Sequence, residues 1–294
     1  MRMFHAKAGW LRMSVLLLLG GAVSAAAASS AFEQARKLYE LTEFEQSLKI
    51  LQAIPDKDAA VYEWIGRNQY GRGDYKKATE ALEKAAALNP ESSEIYLWLG
   101  RAYGRRAETS NFLAAPGHAA RARQHFEKAV ALNPRNLDAQ SDLFEYYLEA
   151  PGFLGGGLDK AAATAGQMGR LNSAEGYWAQ AKIAEKRKEF GSAEAHLQHA
   201  IEAAPQQVGR LLDMARLLTK QGRYSEADQH LAQAVKLAPD SPKVIFGQAE
   251  LYVKSGRNLD VARDLLKRYL SLPLTPDDPP KSQAEKLLGQ VQGI

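Results

Sequence analysis

A chain of 294 residues with 46% hydrophobic and 24% charged residues and only 12 prolines carries enough apolar surface to fold, which excludes general disorder. Its 38 Lys and Arg against 34 Asp and Glu give a net charge of +4, too little for the dense basic surface that phosphate backbones demand, so nucleic acid is excluded as a partner. The lack of cysteine excludes disulfides, thiolate metal sites, a cysteine nucleophile and lipid attachment at cysteine.

In chain order, Arg2, Lys7 and Arg12 precede an apolar run over 13–23 that leads into Ser24 and the alanines of 25–28. This is the pattern of a secretory signal peptide over 1–27, with cleavage after Ala25 or Ala27. The alternative is an uncleaved anchor, but the run is shorter than the ~20 residues of a spanning helix. Loss of Arg2, Lys7 and Arg12 leaves 35 basic against 34 acidic residues and a net charge of +1. The expected location is periplasmic or secreted. A protein exported without disulfides must rely on its core, and a stacked helical array of this length supplies one.

From 28 to 273 the chain repeats with a period of 34: Gly66 and Gly100, Ala193 and Ala227, Leu197 and Leu231, Ala200 and Ala234, and Pro205 and Pro239 are each 34 apart. Seven repeats are expected, over 31–57, 58–91, 92–135, 136–173, 174–206, 207–240 and 241–273, each a pair of helices. Ile65, Gln69, Ala78, Leu82, Ala85 and Leu88 recur in helical steps of three and four. Gly66, Gly100, Ala78 and Ala193 are small where paired helices approach, and Leu82, Phe126, Leu197 and Leu231 fill the space between repeats. Pro90, Pro134, Pro205 and Pro239 stop the second helices, since proline has no N–H to donate and disfavours helix at the residue before it. The stretch 274–294 is a linker, with Asp277, Asp278, Pro279 and Pro280 as its turn, and a capping helix over 282–291 with a polar outer face.

Two repeats depart from the pattern. Repeat three carries ten extra residues, expected near 108–118, and repeat four has a long turn over 150–157. The triple glycine 155–157 lacks the preceding strand and the following Gly-Lys-Ser/Thr of a nucleotide loop. It reads as a widened turn in which Pro151 and Gly152 stop one helix and Asp159 caps the next, with Phe153 and Leu154 as a candidate partner-facing tip. His125, His196 and His230 recur at one repeat position, and His196 and His199 could share a helix face, but no third ligand accompanies them. A solvated surface is expected there, and no metal or other cofactor. No His-Glu-x-x-His, Gly-x-Ser-x-Gly or dinucleotide fingerprint occurs, so no catalytic residue is assigned.

Tyr96, Trp98, Leu99, Gly100 and Tyr103, followed by Ala122, Phe126, Ala129 and Pro134, resemble the tetratricopeptide repeat signature position for position, with Tyr96 where Trp is commonest. The resemblance covers nearly all of the chain after the signal peptide. It implies an all-α, right-handed α-solenoid of about seven helix pairs, and a non-catalytic scaffold or adaptor of the cell envelope that binds protein segments in a groove formed by the first helices. In such arrays positions nine and thirteen face the groove. Here they are Arg67 and Gly71, Arg101 and Arg105, Glu145 and Glu149, Lys182 and Lys186, Arg216 and Lys220, and Glu250 and Lys254. Trp64, Trp98 and Trp178 lie on or near that face. Arg101, Glu145 and Lys182 can pair across neighbouring helices, which leaves Arg67, Arg216 and Lys220 without an evident partner and points to an acidic segment with an aromatic or aliphatic anchor. The asparagine of the chaperone carboxylate clamp is missing from both Arg67 and Arg101, so that ligand is not implied. Two alternatives stand beside this reading: an accessory subunit with a small-molecule pocket at 108–118 and 150–157, and a purely structural envelope component.

Overall fold

A computed structural model describes residues 28–291; the expected signal peptide over 1–27 lies outside the described residues. The chain divides into an N-terminal unit ending at Leu88 and a C-terminal unit beginning at Asn89. Among the described residues every regular element is a helix.

The N-terminal unit holds two helix pairs: α1 (residues 28–40) with α2 (Phe44–Ala53), and α3 (Ala59–Gly71) with α4 (Tyr75–Leu88). The C-terminal unit holds five more: α5 (Ser93–Thr109) with α6 (Ala115–Leu132), α7 (Leu137–Glu149) with α8 (Leu158–Leu171), α9 (Ser173–Lys186) with α10 (Phe190–Ala203), α11 (Val208–Lys220) with α12 (Tyr224–Leu237), and α13 (Pro242–Ser255) with α14 (Leu259–Ser271). α15 (Lys281–Val291) follows the last pair. The seven expected repeats and the cap are therefore present as seven pairs and a closing helix.

Local chemistry sets the ends. Asp58, Ser92, Asn136 and Asn172 cap α3, α5, α7 and α9 by accepting backbone N–H groups of the first turn. α4, α6, α10 and α12 each end two residues before Pro90, Pro134, Pro205 and Pro239. The second helices bury one recurring stripe: Ala78, Leu82 and Ala85; Ala122, Phe126 and Ala129; Ala193, Leu197 and Ala200; Ala227, Leu231 and Ala234. Close approach of paired helices depends on glycine opposite that stripe. A Cβ on Gly66 would lie 2.5 Å from Leu82 Cγ, and one on Gly100 would overlap the Phe126 ring. Ala284 and Val291 seat α15 on Leu266, Tyr269 and Leu274 and close the apolar end of the array.

The insertion of repeat three takes a form that composition alone did not indicate. α5 has 17 residues and α6 has 18, against 13 and 14 in α3 and α4. The extra residues thus add about one turn to each helix, with a five-residue connection over 110–114. In repeat four the connection contains a 3-10 turn, Gly152–Leu154, closed by Gly155 at φ 88°. Gly157 N–H donates to the Tyr147 carbonyl at 2.8 Å. Asp159 does not cap α8: Gly157 holds the cap position with no side-chain bond, and Asp159 lies within the first turn, where its charge favours the helix N-terminus. No described helix is long and apolar enough to cross a membrane.

Candidate functional site

In the C-terminal unit the first helices carry a connected set of charges. Arg101 on α5 donates to Asp142 on α7 at 2.5 Å and lies 3.9 Å from Asp138. On α11, Asp213 accepts from Arg210 at 3.2 Å and Arg216 at 3.1 Å, with Lys182 of α9 at 3.9 Å. Glu185 joins Lys182 at 3.4 Å to Lys220 at 2.9 Å, and Lys186 reaches back to Glu149 at 2.7 Å. Arg216 meets Glu250 of α13 at 3.5 Å, and Lys254 meets the same carboxylate at 2.8 Å. Most of these pairs connect neighbouring repeats, so they fix one first helix against the next.

Between α7, α9 and α11 lies a cleft of about 360 Å³ lined by Phe144, Leu148 and Trp178 and by the charged chains of Glu145, Glu149, Lys182, Glu185, Lys186 and Lys220. Trp178 is buried, with Phe144 tilted against it at 5.7 Å and the Arg210 guanidinium 4.8 Å over its ring. Glu145 stands apart: among the described residues its side chain makes no hydrogen bond and no direct ion pair, while burial and then the neighbouring Asp142 carboxylate raise its pKa, with Lys182 and Arg101 offsetting only part. Glu145 is nonetheless exposed to solvent on the cleft rim. Asp142 is raised too, by burial first, despite its bond to Arg101.

Of the residues expected to face a groove, Glu145, Glu149, Trp178, Lys182, Lys186 and Lys220 line this cleft. Trp98 and Arg101 lie together on α5, where the Trp98 indole N–H donates to Glu94 at 3.2 Å and Arg101 covers the ring at 5.0 Å. Arg105 pairs with Glu108 at the far end of that helix. Arg216 is one repeat further on. Trp64 and Arg67 belong to the N-terminal unit, where Phe32 and Tyr39 meet the Trp64 ring edge-on and Arg36 and Arg67 lie over it at 5.1 and 4.9 Å.

The three cations that sequence leaves unpartnered are paired: Arg67 with Glu63, Arg216 with Asp213 and Glu250, and Lys220 with Glu185. Phe144, Leu148 and Glu185, which complete the cleft, were not singled out from sequence. The available signal was that Phe144 and Leu148 each precede a position-nine or position-thirteen glutamate on α7.

The turn residues separate. Phe153 is 82% exposed, whereas Leu154 is half-buried and its carbonyl accepts from the Tyr146 hydroxyl at 2.9 Å. The recurring histidines are not a solvated surface: His125 stacks on Tyr96 and Tyr103, and His196 and His230 are half-buried, with burial lowering the pKa of both.

Two family descriptions match the chain, "Tetratricopeptide repeat" over 184–245 and 218–279 and "TPR repeat" over 66–106. A solved tetratricopeptide repeat protein of Parabacteroides merdae is similar at 13% identity and a TM-score of 0.59, over 90% of this chain and 98% of its own. A thermophilic one of Thermus thermophilus is similar at 22% identity and 0.54, over 65% and 98%. Likeness at such identity concerns the fold. No curated protein matches.

Proposed function

We propose that this chain, which belongs to the tetratricopeptide repeat family, is a non-catalytic scaffold that holds a partner protein segment in the cleft between α7, α9 and α11. Tetratricopeptide repeat proteins generally mediate protein–protein interaction. The observation that carries the reading here is the cleft's composition, an apolar floor of Phe144, Leu148 and Trp178 inside a rim of charged side chains. Such a floor takes an aliphatic or aromatic anchor, and a polar rim sets its orientation.

The charge of the segment follows from what is already neutralised. The arginines and lysines of this face meet carboxylates, so an acidic segment would have to displace internal partners. Glu145 has none to displace. We therefore infer a cationic residue beside the apolar anchor, in place of the acidic segment expected from sequence. The leader-like 1–27 supports a periplasmic or secreted location. A small-molecule pocket at 108–118 and 150–157 is not favoured, because neither segment lines the cleft.

The test is site-specific photocrosslinking in cells, with the crosslinker at Glu149 or Lys186 on the rim and, for comparison, at Lys128 or Gln198 on second helices. Partners captured from the rim and lost in Trp178→Ala, with the fold retained, support the proposal. Partners captured only from the second helices reject it in favour of a structural role for the outer face.

A further inference from the structure

A second surface, independent of the cleft, lies at one edge of the C-terminal unit. Tyr103, late in α5, meets His118 and Arg121, early in α6. Asn136, which caps α7, donates to the Ser93 hydroxyl in the first turn of α5 at 3.0 Å, and further along both helices Arg101 of α5 meets Asp142 of α7. α5 and α7 therefore run the same way, and the connections that follow them leave from the same edge. Measured from the cross-repeat pair Arg101–Asp142, α5 continues to Thr109; measured from the equivalent Lys182–Asp213, α9 ends at Lys186. Four more residues carry the α5–α6 connection ~6 Å further out.

At that protruding tip Phe112 is 83% and Leu113 is 77% exposed, and on the next connection Phe153 is 82% exposed. Neither connection is loose. Asn111 Oδ1 accepts from the N–H groups of Leu113 and Ala114 at 3.2 and 3.0 Å, and the 3-10 turn is held by Tyr146. Two ordered turns thus hold three large apolar side chains in water.

Arginine outnumbers acid at the α5–α6 tip: residues 103–125 contain Arg105, Arg106, Arg121 and Arg123 against Glu108, although Arg105 pairs with Glu108 and Arg123 with Glu127. Arg106 and Arg121 both lie over the Tyr103 ring, at 5.3 and 5.4 Å, and Arg121 donates to its hydroxyl at 2.9 Å. Burial and then these two cations hold the pKa of the nearby His118 down, and no carboxylate offsets them.

We propose that this edge docks on an anionic lipid bilayer, with Phe112, Leu113 and Phe153 entering the interfacial region and Arg106 and Arg121 at the level of the phosphates. Exposed apolar side chains on a basic ground bind such a surface by burial and by electrostatic attraction together. A protein partner is the weaker match. An ordinary interface covers ~800 Å² on each side, whereas the tips stand out among Asn111, Ala114 and Gly117, which are exposed and small or polar.

The chain has no cysteine, so one introduced thiol carries a polarity-sensitive nitrobenzoxadiazole label without ambiguity. Full-length chains labelled at Leu113→Cys, Phe153→Cys and, on the opposite edge, Leu237→Cys are titrated with vesicles of phosphatidylcholine or of equimolar phosphatidylcholine and phosphatidylglycerol. Labels at 113 and 153 should brighten and shift to the blue on the anionic vesicles only, and the label at 237 should not. Arg106→Gln with Arg121→Gln should raise the lipid concentration for half response about tenfold or more, and added salt should do the same with no substitution. Silence at 113 and 153 overturns the proposal. So does an equal response at 237, which would assign the binding to the apolar run of 13–23, and so does a response to cell proteins in place of vesicles.

Discussion

The guanidinium of Arg210 lies 4.8 Å over the Trp178 ring and joins Glu175 at 2.5 Å to Asp213 at 3.2 Å, so the cleft floor rests on a buried cation. Arg210 is 8% exposed, and its planar fork suits two carboxylates and an aromatic face at once. Arg210→Met should lower stability by about 3 kcal/mol, chiefly because Glu175 is left desolvated without its cation. Asp213 keeps Arg216 and Lys182. Adding Glu175→Met should therefore recover most of the loss. Urea midpoints measure both, and a midpoint unchanged in Arg210→Met would remove this cation from the support of the cleft.

Glycines should divide by what a methyl group would meet. A Cβ on Gly176 would overlap the Gly169 backbone, so only a shift of α8 against α9 can relieve it; one on Gly100 meets the Phe126 ring, which can turn. Gly176→Ala should cost about 2 kcal/mol and Gly100→Leu ~1–3 kcal/mol. Gly104 and Gly166 are helical with nothing within 4 Å, so alanine there should gain ~0.5–1 kcal/mol through helix propensity. Thermal midpoints that move the same way for all four would contradict the packing described.

The repeat was legible because its determinants are local and periodic: Gly66 and Gly100, the stripes around Leu82, Phe126, Leu197 and Leu231, and the prolines two residues past each helix. Pairing was not legible. Whether Lys220 is free depends on Glu185, 35 residues away, pointing across to it, and spacing carries no rotamer. For the same reason the ten extra residues read as a loop, when their helix-compatible composition let them extend α5 and α6. Arg210 looked like any surface arginine, since only packing shows that it lies over Trp178.

Export makes a prediction that α1 constrains. Residues 28–40 are helical, with Ala35 and Tyr39 buried, so cleavage after Ala25 or Ala27 would leave the described part of that helix whole. Intact-mass measurement of protein recovered from cells should place the N-terminus between Ser24 and Ser30. Recovery with Met1 in place would reject export by cleavage and leave the uncleaved anchor as the account of 1–27.

Glu145 predicts a pH dependence whose sign can be worked out. Its folded pKa lies above the ordinary 4.5, so between 4.5 and the raised value the folded state binds more protons than the unfolded chain. Stability must then fall as pH rises through that window and level off above it, the reverse of a salt-bridged carboxylate. Glu226 and Glu202, both lowered, contribute the opposite slope elsewhere, so the informative quantity is the difference between wild type and Glu145→Gln. Glu145→Gln should be the more stable at neutral pH, with the gap closing toward about pH 4, where both forms are neutral at 145. A cationic anchor in the cleft should pull the Glu145 pKa back down, so that its binding releases a proton and weakens as pH falls through the window. Melting curves across pH test the first statement, and calorimetric titration of a captured partner in two buffers of different ionisation enthalpy tests the second. A gap that widens toward low pH would show that Glu145 is stabilised by a counter-charge and that the cleft's free carboxylate lies elsewhere.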